Sequence, residues 1–147
     1  KMSEWPSVSG RLLSATLPRA IRVPFGNPLT INAVEPPVYV APETERWSCS
    51  EITSAALAQG FSSEGARIVA SIAQAESGGR SAATHITPHE RSLGPLQINL
   101  VVHRAFSDEC ARSLSCSLAI AWRLSRGGTN WNPWSVYKSG AYEGRCA

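Results

Sequence analysis

Glu76 is the residue whose position best suits acid–base chemistry. Ile68, Val69, Ile72 and Ala73 recur at three- and four-residue spacings, which draws an apolar stripe along a helix. Glu76 lies three residues beyond Ala73, four beyond Ile72 and seven beyond Val69, so it continues the buried side of that helix. Burial penalises the charged form of a carboxyl and raises its pKa. The partial negative charge at a helix carboxyl end acts in the same direction. A glutamate that keeps its proton near neutral pH is a general acid, as cleavage of a glycosidic bond requires when the leaving oxygen must be protonated. The competing reading of this placement is a helix-terminal glutamate that pairs with Arg80 at i+4.

The second carboxylate is less defined. Glu90 stands just before Ser92 and is the main candidate, whereas Asp108 and Glu109 read as part of a solvated turn. His85 and His89 have a spacing of four, which on a helix would place two metal ligands together. Pro88 between them and the lack of an accompanying carboxylate motif argue against it, so neither metal nor cofactor is expected and both are read as loop histidines.

The elements that must position Glu76 are mainly helical. Ser48 and Glu51 form a capping box that opens a helix through Ile52, Ala55 and Ala56, with Gly60 as its stop. The Glu76 helix starts near Ser62 or Ser63 and ends at Gly78-Gly79, and a long polar loop is expected from Arg80 to about Gly94. A further helix is predicted over residues 113–126, terminated by Gly127-Gly128. Asn132-Pro133 is expected to start a short last helix. Seven of the ten prolines precede residue 46, so residues 1–46 read as an extended arm or linker and residues 47–147 as the domain. That arm either binds another protein or is a disordered end.

The 147 residues suffice for one domain with a real core. The formal charge of +3 favours an anionic polymer, but no arginine-rich run or aromatic-interleaved basic stripe points to nucleic acid. No segment approaches the roughly 20 apolar residues of a membrane span. Cys49, Cys110, Cys116 and Cys146 lack zinc or CxxC spacing, which leaves disulfides or buried free thiols. Three pairings are open. The preferred one joins Cys110 to Cys116 across a short turn and Cys49 to Cys146 at the two ends of the helical region, and disulfides imply an oxidising, extracytoplasmic location.

Three ordered motifs carry a resemblance. Ala75-Glu76-Ser77-Gly78-Gly79 is followed by Ser92-Leu93-Gly94-Pro95-Leu96-Gln97-Ile98-Asn99, and then by Trp131-Asn132-Pro133-Trp134-Ser135-Val136-Tyr137-Lys138-Ser139-Gly140-Ala141-Tyr142. Together they resemble the lysozyme-like superfamily over about residues 47–144, most closely its soluble lytic transglycosylase branch and related phage virion lysins. The resemblance implies a lysozyme-like helical domain that acts on peptidoglycan glycan strands at the β-1,4 bond between N-acetylmuramic acid and N-acetylglucosamine. It implies Glu76 as catalytic acid and then base. Ser92 and Gln97 would line the cleft and bind sugar, and Asn99 would do likewise or cap the next helix. Tyr137 would reach toward the carboxylate, and Tyr142 would be a further cleft residue. Trp131 and Trp134 either stack on sugars or pack in the core. Ser117 stands where many members of the family have asparagine.

Lytic transglycosylation, which needs one carboxylate, is the preferred reading. The alternatives are a hydrolytic lysozyme with Glu90 as the second acid, and a non-catalytic wall-binding or virion-assembly module. A phage virion, the periplasm and the secreted state all satisfy the expected location, and residues 1–46 are the expected contact with a virion or secretion-apparatus protein.

Overall fold

A computed structural model describes residues 45–147. The expected arm lies outside the described residues, apart from Glu45 and Arg46. These two pair with the domain: Arg46 bridges Arg80, and the Ser81 amide donates to the Glu45 carbonyl.

Helix α1 spans Cys49–Gln59 and opens with the expected capping box. The Glu51 amide donates to Ser48 Oγ at 3.2 Å, and the Ser48 amide returns a 2.7 Å bond to the Glu51 carboxylate. Helix α2, Ser63–Ser77, is capped by Ser62 and stopped by Gly78 in the left-handed region at φ 66°. Most of α2 is buried, with Val69, Ala70, Ile72 and Ala73 inaccessible, so it is the central helix of the core. Helix α1 packs against α2 and against α4, Leu114–Leu124. Between α2 and α4 lies a short helix α3, Asp108–Arg112, and after α4 comes the one-turn helix α5, Ser135–Lys138, against α2. Among the described residues the fold is mainly α with one small sheet.

That sheet corrects the expected polar loop. Residues 84–87 and 90–93 form an antiparallel hairpin of β1 and β2, joined by Pro88-His89, and Ile98–Asn99 adds a third strand, β3. All four residues of β1 are exposed, so no alternation of apolar and polar residues marked the strand. Proline at the hairpin turn removes no ladder donor. Arg91 on β2 grips Asp108 with both guanidinium nitrogens, one bond being 2.6 Å from Nη1 to Oδ1. Asp108 and Glu109 form the acidic first turn of α3, Glu109 exposed to solvent as expected and Asp108 partly so.

Two helix ends also differ from expectation. Helix α4 stops at Leu124, because Arg126 already takes a left-handed φ of 52°. The last helix begins at Ser135 with Trp134 as its N-cap, not at Asn132-Pro133. The Trp134 amide closes a turn onto the Trp131 carbonyl, and its indole donates to the Leu96 carbonyl at 3.0 Å. Both tryptophans are buried in the core, as is Ser117, whose hydroxyl donates to the Leu114 carbonyl. Both expected disulfides are present, Cys49–Cys146 and Cys110–Cys116, and no free cysteine remains. Among the described residues, no helix is long and apolar enough to cross a membrane.

Candidate active site

Ser77 joins the first two motifs. Its buried hydroxyl donates to the Pro95 carbonyl at 2.8 Å, with the Ala73 carbonyl also within reach, and it accepts from the amides of Gly79 and Arg80. The end of α2 is thereby fixed against the Gly94–Gln97 turn. Gly94 makes that approach possible: a Cβ there would lie 1.9 Å from the Ala111 carbonyl oxygen, and its φ is +79°.

These contacts frame a cleft of about 620 Å³ with Glu76 in its lining. Glu90 and Ser92 come from β2, Thr84 and His85 from β1, and Asn99 from β3. Trp134, Ser135 and Lys138 come from the α5 region, and Gln97 from the turn between β2 and β3. Glu76 is half-buried at the end of α2. Loss of solvent, reinforced by the nearby Glu90 charge, raises its pKa from the ordinary 4.5 to about 7. The ion pair with Arg80 that the competing reading required is absent. Gly78 and Gly79 both take left-handed φ, so Arg80 leaves the helical path and no i+4 geometry exists. Instead, the Arg80 Nε donates to the Ser77 carbonyl at 2.8 Å.

The hairpin holds the second carboxylate by a short chain of contacts. Ser92 Oγ donates to Glu90 at 2.6 Å, and His85 Nε2 lies 3.7 Å from its other oxygen. Ser92 is buried and its hydroxyl serves Glu90. Gln97 takes a left-handed φ of 48°, an uncommon state for a residue with a side chain. Its side-chain nitrogen Nε2 lies within hydrogen-bond distance of the Ala83 and Gly94 carbonyls, and the residue lines the cleft. The Asn99 side-chain oxygen Oδ1 accepts from the amides of Arg91 and Val101, so the residue shapes the end of the sheet as well as lining the cleft.

Glu76, Glu90, Ser92, Gln97 and Asn99 thus share one cleft, whereas Tyr137 and Tyr142 are not among its lining residues. The two tyrosines stack on each other with ring centres 4.7 Å apart. Tyr142 borders a smaller cavity of about 200 Å³ near Glu64 and Arg67. His85 lines the cleft and His89 does not; no cluster of metal-ligating residues occurs among the described residues. Sequence reasoning missed His103 and Lys138 as cleft residues. Burial lowers the His103 pKa, which favours a neutral imidazole there. Lys138 lay within the third motif, and its place one turn past Trp134 was the available signal.

A glutamate whose proton is held by burial stands at a helix end and faces a β-hairpin across an open cleft, an arrangement that suits acid–base chemistry. The family model described as a lysozyme-like domain matches residues 53–136, and the chain belongs to that family. No curated protein and no solved structure matches the chain. Lysozyme-like domains are generally enzymes that cleave the glycosidic bonds of peptidoglycan, and the two disulfides suit the oxidising setting in which that polymer lies.

Proposed function

We propose that the chain cleaves the β-1,4 bond between N-acetylmuramic acid and N-acetylglucosamine as a lytic transglycosylase, with Glu76 as acid and then base. The observation that carries this reading is the Glu76 carboxyl, half-buried in the cleft with its pKa raised to about 7. Glu76 gives its proton to the bridging oxygen as the bond to the muramic acid C1 breaks. The resulting carboxylate then takes the proton from the sugar's own C6 hydroxyl as that oxygen bonds to C1. A 1,6-anhydro end forms, Glu76 regains its proton, and no water is consumed. Negative charge on Glu90 favours the positive charge that develops at C1. Gln97 and Asn99 are the polar groups offered to the sugar and its acetamido substituent.

One observation favours a second reading, hydrolysis. Glu90 faces the same cleft and is close enough for its charge to raise the Glu76 pKa, and a second carboxylate is what a hydrolytic lysozyme uses. Mass spectrometry of fragments released from purified peptidoglycan separates the two. Anhydro fragments, one water lighter than ordinary reducing ends, are expected; ordinary reducing ends would overturn transglycosylation in favour of hydrolysis and make Glu90 the next residue to test. The proposed site of action is extracytoplasmic: a phage virion, the periplasm or the secreted state.

A further inference from the structure

The charges around the cleft are unevenly partnered. Glu90 is held by Ser92 and faced by His85 on the hairpin side. Arg80 enters from the turn after α2 and Lys138 from α5, and both line the cleft while exposed to solvent. Of the Arg80 guanidinium only Nε is engaged, by a backbone carbonyl, and its two terminal nitrogens have no hydrogen-bond partner among the described residues. Among the described residues, neither His85–Glu90 nor Arg91–Asp108 involves Lys138, and no acidic side chain pairs with its ammonium. With Glu76 in its protonated working form, two uncompensated cations and one anion line the cleft wall. Such cations can donate to the oxygens of a neutral sugar, but their charge-assisted bonds to a carboxylate are the stronger ones, and the cleft field favours an anionic group.

We infer that Arg80 and Lys138 form a subsite for a carboxylate attached to the glycan, so that the cleft selects acid-substituted strands over neutral ones. This deepens the proposed peptidoglycan-cleaving function and rests on it for the identity of the glycan. Two sources supply such a carboxylate: the peptide branches, and the lactyl group itself where the peptide has been removed. Guanidinium and ammonium groups both bind carboxylates through charge-assisted hydrogen bonds. Their exposure makes the attraction salt-sensitive.

The test compares binding by the Glu76→Gln variant, which holds the strand without turnover, with binding by the triple variant that adds Arg80→Gln and Lys138→Gln. The ligands are peptide-bearing strands and strands stripped of peptide by an amidase, each before and after conversion of their carboxyls to amides. Amidation is expected to weaken binding of Glu76→Gln by about tenfold, as two solvated ion pairs would give. The loss should shrink in high salt. In the triple variant the ratio of native to amidated binding should fall toward one. Loss confined to the peptide-bearing strands assigns the carboxylate to the peptide, and loss on the stripped strands assigns it to the lactyl group. An undiminished ratio in the triple variant, or equal binding of native and amidated strands by Glu76→Gln, overturns the subsite. Fragment release by the wild-type protein is read separately: its absence, with the charge-dependent binding intact, would remove the catalytic reading and leave the subsite standing.

Discussion

Replacing Glu76 by glutamine keeps the side chain's shape and removes its titration, so the variant measures how far the fold resists the charge. In the unfolded chain the carboxyl loses its proton near its ordinary 4.5, and in the folded protein near about 7. Below pH 4.5 both states hold the proton, and Glu76 costs the fold nothing. Between the two values the unfolded state ionises first, so wild-type stability falls as pH rises; above about pH 7 the loss is complete. The difference corresponds to at most about 3.5 kcal/mol, and water reaching the half-exposed carboxyl reduces it to about 1–2 kcal/mol. For a domain near 100 residues this is roughly 5–10 °C in Tm. Thermal unfolding by circular dichroism, without reductant, should therefore give similar Tm values for wild type and Glu76→Gln at pH 4. At pH 8 the variant should be higher by that amount. An equal offset at the two pH values would refute the idea that burial and Glu90 hold the proton on Glu76.

The same titration governs the rate, and turnover of peptidoglycan should decline as pH rises through about 7, where Glu76 loses the proton it must donate. Glu90→Gln removes the repelling charge, so the alkaline limb of its pH–rate profile should move to lower pH; an unmoved limb would separate Glu90 from the acid. Gly94→Ala should destabilise the domain by about 2 kcal/mol or more, because the added methyl meets the Ala111 carbonyl at a left-handed backbone position. Denaturant unfolding checks this, and a change under about 0.5 kcal/mol would mean that the turn holding Gln97 yields easily.

Much of the helical frame was legible because local chemistry settles it. Ser48 and Glu51 satisfy each other's backbone amides with no help from the rest of the chain, and Gly78 stops α2 by its own left-handed geometry. The position of Glu76 followed from period alone, and so did its partial burial. The hairpin was not legible. Its first strand is exposed on both faces, and it is held by contacts distant in sequence, notably Arg112 to the Thr84 hydroxyl and Arg91 to Asp108. Arg80 shows the reverse error, in which a helical spacing was extended across two glycines that break the helix. The start of α5 depended on where Trp134 is pinned, and its bond to Leu96 spans 38 residues that no local pattern relates. Lys138 and His103 reach the cleft only because distant segments fold together around α2.

The most direct test of Glu76 as the acid is release of soluble fragments from purified peptidoglycan by wild type and by Glu76→Gln, side by side at pH 6. Matching circular dichroism spectra would show that both are folded. Loss of general-acid catalysis should lower the variant's rate by about 10²–10⁴-fold. Release at a rate near wild type would contradict the assignment.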